Sequence, residues 1–251
     1  MSTGLRGVVR MKVVVVLPVY NEAKCIESTL ESVLEFSNFR PWYHFIFVND
    51  GSTDRTKEIL DTKLAVTSNS KVKVISYQNN QGKGYAVKRA VENACEDYIC
   101  FIDSDLAYSL EHLELIVDQL EAFDVVIGCR NLIPESIKQV SLIRKIAGKI
   151  FNTISRKLLN LPFYDMQAGI KGFKKDVAKE LFQKQGMTGF SFDVELLYLA
   201  KKKGYSIGQI PARVSVKHLN KASKVNLVVD SAQMLIDLFK IRYNDIIGKY
   251  E

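Results

Sequence analysis

Two carboxylates, Asp103 and Asp105, directly follow an apolar stretch, residues 98–102, that has the pattern of a buried strand. Acidic side chains at the end of a buried strand are costly unless a cation or hydrogen-bond donors compensate them. Oxygen ligands at this spacing suit Mg²⁺ or Mn²⁺, which could bind a diphosphate and stabilise it as a leaving group. An Asx turn with the second aspartate in solvent is the structural alternative.

Two further polar clusters each follow a predicted strand. The first contains Pro18, Tyr20 and Glu22, and the second contains Asp50 within residues 49–54. Backbone amides at the start of the following helices favour an anion, and Asp50 could accept hydrogen bonds from a nucleobase. Helix capping, with Ser52 or Asp54 as the N-cap residue, is the alternative.

A third cluster, Gly82-Lys83-Gly84, follows the third predicted strand. The two glycines could let the backbone approach a ligand, and Lys83 supplies a positive charge. The full pattern of a phosphate-binding loop is missing, so a plain turn explains these residues equally well.

The elements that must position these clusters alternate along the first half of the chain. Short β-branched runs predict strands at residues 13–17, 45–48, 72–77, 98–102 and 125–128, separated by helical patterns near 25–36, 55–66, 84–95 and 110–122. Such alternation predicts βαβ units on a mostly parallel sheet. The ligand crevice of an open sheet lies beyond the carboxyl ends of its strands, where every cluster falls.

The second half is helical and basic. Apolar residues from Ile143 to Leu158 recur at helical spacing and predict an amphipathic helix. After it we expect helices near 176–182 and 194–203, a strand near 207–214 and a helix near 227–247. Residues 138–157 include six basic residues and no acid, within a net charge of +7. A positive charge of this size is compatible with anionic partners such as nucleotides, phospholipids or nucleic acid. The basic helix could lie on a membrane surface or simply face the core, and periodicity leaves both open.

In their order along the chain, the strand-end clusters resemble the family 2 inverting glycosyltransferases, which have the GT-A fold. Residues 13–130 carry this resemblance through Pro-Val-Tyr-Asn-Glu, Asn-Asp-Gly-Ser-Thr-Asp and the Asp-x-Asp metal motif. It implies that a nucleotide sugar and its Mg²⁺ or Mn²⁺ are bound by Pro18, Tyr20, Glu22, Asp50, Lys83, Asp103, Ser104 and Asp105. Of these, Asp103 and Asp105 would hold the metal, and Asp105 would also be catalytic.

The second half looks like the dolichyl-phosphate β-glucosyltransferase branch of that family. This likeness is carried by Asp165, Gln167, Gly169, Lys171, residues 192–197, Ser223 and Lys224. It implies transfer of glucose from UDP-glucose to a polyprenyl or dolichyl phosphate. Mannose transfer from GDP-mannose is the nearer alternative, although those enzymes often have a Gln where this chain has Ala107. A second alternative function is transfer of the sugar to a saccharide or protein hydroxyl.

A phosphate acceptor is already nucleophilic at neutral pH, so it needs positive charge more than a base. We expect Arg130 and Arg144 to position it, unless they are surface charges or ion pairs. Asp165 and Asp193 are candidates to orient the acceptor or act as a base, and both could instead cap helices. His218 could approach the metal or be an exposed group. The acceptor set further includes Gln167, Lys171 and Lys224.

We expect one GT-A domain at residues 11–214, with a nucleotide-sugar half (11–130) and an acceptor half (131–214), followed by a basic amphipathic extension (215–251). The apolar runs are shorter than the ~20 residues that cross a bilayer, and no signal peptide precedes them. We therefore expect a protein made in the cytosol and peripheral on the cytosolic face of a membrane, without nucleic-acid partners. A nonenzymatic binding module would need the basic patch but not Asp103 and Asp105.

Overall fold

The computed structural model describes residues 11–67, 69–133, 142–215 and 227–251. Within this part, seven strands form one sheet. They are β1 (Val13–Val19), β2 (Tyr43–Asp50), β3 (Val72–Tyr77), β4 (Tyr98–Ile102), β5 (Val125–Cys129), β6 (Ile170–Lys174) and β7 (Ile207–Pro211). Their order across the sheet is β3-β2-β1-β4-β6-β5-β7. All neighbouring pairs are parallel except those of β6, which runs antiparallel to β4 and β5.

Eight α-helices flank the sheet in the same part of the chain. They are α1 (Ile26–Phe39), α2 (Thr56–Ala65), α3 (Lys83–Asn93), α4 (His112–Leu120), α5 (Leu142–Leu159), α6 (Lys175–Lys184), α7 (Phe192–Lys202) and α8 (Leu227–Ile246). A short 3₁₀ helix, Arg130–Leu132, follows β5 directly. The predicted mostly parallel α/β sheet and its C-terminal helix are confirmed.

Two hydrophobic cores lie on opposite faces of the sheet. Successive side chains of a strand point to opposite faces, so Val14 and Val16 of β1 enter one core while Val13 and Val15 enter the other. The first core also contains residues of α3, α6 and α7, and the second contains residues of α1 and α4. Burial on both faces explains why β1 reads as a continuous apolar run.

The strand β6 is the element that the sequence pattern does not predict. Its five residues include Gly172, Lys171 and Lys174, so they lack the apolar character of the other central strands. Tertiary packing accounts for them: a Cβ at Gly172 would lie 2.3 Å from Ile116 Cγ2 of α4, so only glycine admits this helix. Lys171 is fully buried in an ion pair.

Smaller differences concern the ends of elements. Both β1 and β2 continue two residues beyond the predicted strands, to Val19 and Asp50, and the predicted strand near 207–214 ends at Pro211. No helix among the described residues has the length and apolar character needed to span a membrane. The division of the domain at residues 130 and 214 stays a prediction, although one continuous sheet joins strands on both sides of residue 130.

Replacing Gly172 by alanine tests the close packing of α4 on β6. We expect the free energy of unfolding to fall by about 1–3 kcal/mol, because the added methyl group must displace Ile116 or the strand. Chemical denaturation measures this. In the control Gly189→Ala, a Cβ meets nothing within 4 Å, so stability should change little. Equal stabilities of the two variants would contradict the packing described here.

Candidate active site

The polar clusters predicted from the sequence meet at one edge of the sheet. Strand β1 lies between β2 and β4, and the carboxyl ends of all three point the same way. Because β6 is antiparallel, its first residue, Ile170, pairs with Ile102 at the end of β4. The segment that enters β6 therefore lies at the same edge as Asp103.

The loops after β1 and β2 are tied to each other. The Asn21 backbone has φ 53°, and its side-chain oxygen accepts hydrogen bonds from the backbone N–H of Thr53 at 2.7 Å and of Asp54 at 3.3 Å. The backbone N–H of Glu22 donates to Thr56 Oγ1 at 2.8 Å. These bonds fix the loop after β1, in which Tyr20 is 41% exposed.

At the start of α2, the N-cap residue is Arg55 and not Ser52 or Asp54, but Asp54 binds the backbone of the first helical residue. Its Oδ1 accepts from the backbone N–H of Thr56 at 3.0 Å, and its Oδ2 accepts from the backbone N–H of Ala23 at 3.1 Å. Pro18 lies half-buried within β1. The nucleoside contacts assigned to Pro18, Tyr20 and Glu22 stay predictions.

Asp50, the last residue of β2, is buried and holds the loop that precedes α3. Its Oδ1 accepts from the backbone N–H of Gln81 at 2.7 Å, and its Oδ2 accepts from Gly82 N–H and Asn80 Nδ2, both at 2.9 Å. A carboxylate stabilised by three donors fixes this loop firmly. Its contact with a nucleobase stays a prediction.

The two glycines that flank Lys83 admit protein backbone. Gly82 has φ 99°, and a Cβ there would lie 2.5 Å from the carbonyl oxygen of Thr188. A Cβ at Gly84 would lie 2.7 Å from Phe192 Cβ. The close approach inferred from the sequence therefore exists, but a segment of this chain fills the space beside these glycines.

Lys83, the first residue of α3, forms an ion pair with Asp103. The distance from Nζ to Oδ1 is 2.7 Å, and Nζ also lies 5.8 Å from the centroid of each of the Phe101 and Phe192 rings. Burial lowers the pKa of Lys83, but the carboxylates of Asp103 and Asp193 raise it by more, so its pKa is raised overall. Lys83 is therefore a fixed positive charge at neutral pH.

The Asp103 backbone is anchored to the segment that enters β6. Its N–H donates to the carbonyl oxygen of Gly169 at 2.9 Å, and a Cβ at Gly169 would lie 1.8 Å from Asp103 Oδ2. Any side chain at position 169 would thus displace the carboxylate. Gly169 is a residue of the site to which sequence spacing assigns no role.

Asp105 lies in a tight turn. Its Oδ1 accepts from the backbone N–H of Ala107 at 3.0 Å, and the intervening Leu106 has φ 49°. The carbonyl oxygen of Ser104 accepts from Thr29 Oγ1 of α1 at 2.7 Å. The Asx-turn geometry is therefore present, and it fixes the second carboxylate close to the first.

The donor set of this turn fits a divalent cation that arrives with a diphosphate. No cluster of three or more His, Cys, Asp or Glu side chains that could hold a metal occurs within the described residues. Mg²⁺ and Mn²⁺ suit oxygen ligands, and Mg²⁺ sites often combine one or two carboxylates with substrate phosphates. Asp103 and Asp105 supply the two carboxylates. His218 lies outside the described residues.

Arg130, directly after β5, forms a bidentate pair with Asp165. Its Nε and Nη2 lie 2.8 and 2.7 Å from the two carboxylate oxygens, and its backbone N–H donates to the same carboxylate at 2.8 Å. Asp165 is 2% exposed, whereas the Arg130 side chain is 41% exposed. Burial raises the pKa of Asp165, but Arg130 lowers it by more, so its pKa lies below the ordinary value. This geometry fits an orienting role for Asp165, which stays a prediction.

Lys171 and Asp193 form a second, fully buried ion pair. Lys171 Nζ lies 2.8 Å from Asp193 Oδ1, donates to the carbonyl oxygen of Ala168 at 2.9 Å and lies 5.4 Å from the Phe101 ring centroid. Asp193 Oδ1 has no aligned hydrogen bond, so its contact with Lys171 is an ion pair without hydrogen-bond geometry. Burial lowers the pKa of Lys171, and Asp193 partly opposes this effect.

The remaining predicted acceptor residues are placed only in part. Gln167 is half-buried between Asp165 and β6. Arg144 belongs to α5, but its side chain lies outside what the structure describes, as does all of Lys224. Lys171 and Asp193 are shielded from solvent, so any effect of this pair on an acceptor passes through neighbouring groups. The catalytic and acceptor roles of all these residues stay predictions.

The sequence model of glycosyl transferase family 2 matches residues 14–182, about two thirds of the chain. The chain belongs to this family. The range contains each strand-end cluster, Arg130, Asp165 and β6. The expected enzyme class, a family 2 glycosyltransferase, is thereby confirmed.

Several curated relatives of this family 2 glycosyltransferase match most of its chain. The dolichyl-phosphate beta-glucosyltransferase of Dictyostelium discoideum is 28% identical over 247 residues, which cover 93% of this chain and 75% of the relative. The Saccharomyces cerevisiae protein of the same name is 28% identical, covering 94% and 75%. Glycosyltransferase AglD of Haloferax volcanii is 29% identical, covering 88% of this chain and 35% of its own length.

Solved structures show the same fold. Glucosyl-3-phosphoglycerate synthase from Mycobacterium tuberculosis matches with a TM-score of 0.66 and 19% identity, covering 92% of this chain and 80% of the other. Its complex with Mn²⁺, uridine diphosphate and glucosyl-3-phosphoglycerate matches with a TM-score of 0.63 and 18% identity, with the same coverage. The family 2 glycosyltransferase therefore has the expected GT-A fold.

The pH dependence of stability tests the Arg130–Asp165 pair. A carboxyl group whose pKa is lowered in the folded state adds stability above its unfolded pKa and loses it as the pH falls through the folded value. We expect the wild type to lose this contribution below about pH 4. Asp165→Asn should be less stable at pH 7 and lose less stability over that acidic range.

Denaturant unfolding between pH 2.5 and pH 7 measures both variants. Asp118→Asn is the control, since Asp118 is exposed on α4. A pH profile of Asp165→Asn that runs parallel to the wild-type profile would show that the pair does not contribute in this way.

Proposed function

We propose that this enzyme transfers glucose from UDP-glucose to a polyprenyl or dolichyl phosphate, with inversion at the anomeric carbon and with Mn²⁺ or Mg²⁺. The observation that carries the proposal is the likeness to dolichyl-phosphate beta-glucosyltransferases across 93–94% of the chain. This range includes both the donor side of the site around Asp103 and the opposite side around Arg130.

On the donor side, Asp103 and Asp105 would hold the metal ion, which would supply positive charge to offset the negative charge of the leaving diphosphate. Lys83 adds a protonated amine beside Asp103, 2.7 Å away. Lys83 pairs with Asp103, and its ammonium group is placed to donate to a phosphate oxygen of the nucleotide sugar. The ion pair therefore neutralises the charge of Asp103 before the substrate binds.

On the acceptor side, Arg130 provides positive charge for a phosphate. Asp165 binds one edge of the guanidinium through Nε and Nη2, and the Arg130 side chain stays 41% exposed. A guanidinium fixed on one edge can present its remaining N–H groups to phosphate oxygens.

The chemical step needs no strong base. The second pKa of a phosphomonoester is about 6, so most of the acceptor is dianionic at neutral pH. One of its oxygens attacks the anomeric carbon and forms a new C–O bond as the bond to the diphosphate breaks. UDP leaves with the bonding electron pair, and attack from the opposite face inverts the configuration. The burial of Asp193 is consistent with a reaction that does not require it as a base.

A transfer assay with Asp105→Asn tests this function. Purified protein is incubated with labelled UDP-glucose, short polyprenyl phosphate and Mn²⁺ or Mg²⁺, and the lipid product is quantified. We expect metal-dependent product that chelator abolishes, and a loss of about a hundredfold or more in Asp105→Asn, because the variant loses a metal ligand. The control Asp61→Asn changes an exposed aspartate that pairs with Lys57.

Other substrates in the same assay separate the alternatives. Product from GDP-mannose but not from UDP-glucose would replace the glucosyl assignment with the mannosyl one. Product on 3-phosphoglycerate or a sugar hydroxyl, with none on polyprenyl phosphate, would contradict the lipid acceptor. Full activity in chelator would contradict the metal.

We further propose that the enzyme works as a peripheral protein at the cytosolic face of a membrane, where its lipid acceptor lies. Support comes from an exposed apolar stripe on α8, formed by Ile236, Phe239, Tyr243 and Ile246 at helical spacing. Helix α8 packs against α5, on which Ile150 is exposed. Arg156 and Lys157 of α5 line a cavity together with Lys201 of α7. Exposed apolar groups on one helix and basic groups on the helix packed against it suit an anionic lipid surface.

Replacing Phe239 by serine tests the α8 stripe. We expect binding to vesicles that contain anionic phospholipid to weaken about tenfold or more, because an inserted aromatic side chain contributes about 1.5–3 kcal/mol. Sedimentation of vesicles at low and high salt measures the binding. Phe39→Ser is the matched control, since Phe39 is 74% exposed on α1. Equal effects of both substitutions, or no binding at low salt, would count against this surface.

A further inference from the structure

The carboxylate of Glu195, on α7, is fully buried. Its two oxygens accept from the backbone N–H of Gly186 at 3.0 and 3.1 Å and from that of Met187 at 2.7 Å. The hydroxyl of Tyr250 donates to Oε1 at 2.6 Å. Glu195 therefore fixes the backbone of the segment between α6 and α7.

Tyr250 is held in place for this contact. It is fully buried, its ring packs near that of Tyr198, and its hydroxyl accepts from Asn244 Nδ2 at 3.3 Å. The hydroxyl thus has both a donor and an acceptor partner. A buried tyrosine with both bonds satisfied is a specific link from the segment after α8 to Glu195.

Thr188 follows Gly186 and Met187 in the segment that Glu195 holds, and we call residues 186–188 the braced segment. Thr188 contacts the start of α3. Its carbonyl oxygen accepts from the backbone N–H of Gly84 at 2.7 Å and from that of Tyr85 at 3.2 Å. The first N–H groups of a helix have no partner within the helix, so these bonds satisfy two donors that would otherwise need another acceptor. They also determine where the first turn of α3 begins.

Glycines on both sides of Lys83 make this contact possible. A Cβ at Gly82 would lie 2.5 Å from the Thr188 carbonyl oxygen, and one at Gly84 would lie 2.8 Å from the Met187 carbonyl oxygen. The segment and the helix start are therefore packed at the closest distance that a backbone permits. A shift of the segment must move Lys83, whose Nζ lies 2.7 Å from Asp103.

We infer that Glu195 and Tyr250 are positioning residues for the donor site, acting through the segment 186–188 to hold Lys83 beside Asp103. The inference rests on the proposed function in one respect, that Lys83 contacts the sugar-nucleotide diphosphate. It adds a contribution of the C-terminal residues to donor binding, through a hydroxyl that touches neither substrate. Acceptor binding around Arg130 lies outside this chain of contacts.

Tyr250→Phe removes only the hydroxyl. We expect kcat/KM for UDP-glucose to fall about five- to tenfold, in line with the loss of one hydrogen bond, while KM for polyprenyl phosphate stays within about twofold. Tyr205→Phe is the matched control, because Tyr205 also donates to a glutamate, Glu180, but lies outside the braced segment. Glu195→Gln should have a larger effect of the same kind.

A double-mutant cycle with Lys83→Met distinguishes positioning from general destabilisation. If Tyr250 acts through Lys83, adding Tyr250→Phe to Lys83→Met should lower kcat/KM for UDP-glucose no further. Independent, multiplicative losses would overturn the inference. So would equal effects of Tyr250→Phe and Tyr205→Phe.

Amide hydrogen exchange gives a readout that needs no substrate. We expect the N–H groups of Gly84 and Tyr85 to exchange at least about fivefold faster in Tyr250→Phe, while amides in α1 keep their wild-type rates. Unchanged protection of these two amides would overturn the inference. If the wild type transfers no glucose but this exchange is accelerated, the proposed function fails and the positioning role stands.

Discussion

The organisation of this enzyme depends on the pairing of charges that are partly or fully withdrawn from water at one edge of the sheet. Asp103, Asp165 and Asp193 each lie within 2.8 Å of a cation, which is Lys83, Arg130 or Lys171 respectively. An unpaired charge in such a place would strongly destabilise the fold. The cations come from α3, the end of β5 and β6, so neutralising the site requires that all three elements be in place.

The antiparallel strand β6 makes this arrangement possible. A parallel strand between β4 and β5 would deliver its first residues to the opposite edge of the sheet. Because β6 runs the other way, Gly169 and Lys171 enter at the edge where β4 ends, and Gly169 accepts the Asp103 backbone N–H at 2.9 Å. Residues that are far apart in the sequence thus form one site through the direction of a single strand.

The sequence locates the strand-end clusters well, because strand-end residues follow from local patterns. The runs before Asp50 and Asp103 are apolar and β-branched or aromatic, so the strands and their carboxyl ends can be located by periodicity alone. The order of the clusters adds the family resemblance. Burial on both faces produces those runs, and the parallel direction of β1, β2 and β4 places the clusters at one edge.

Pairing partners and β6 could not be predicted in this way. The contact of Lys83 with Asp103 joins residues twenty positions apart, and that of Arg130 with Asp165 joins residues thirty-five apart, so neither produces a local pattern. Gly172 and Lys171 weaken the strand signal of β6, and only its neighbours explain them. The same holds for Gly82 and Gly84, whose pattern resembles a ligand loop while the structure places Thr188 and Phe192 beside them.

Binding of UDP-glucose, measured by calorimetry without any acceptor, tests most directly whether this edge of the sheet is the donor site. The wild type should bind UDP-glucose with Mn²⁺ present and at least about tenfold more weakly in chelator. Asp103→Asn, which keeps the shape of the side chain beside Gly169, should bind equally weakly with and without the metal. Metal-independent binding of equal affinity in the wild type and in Asp103→Asn would contradict the account.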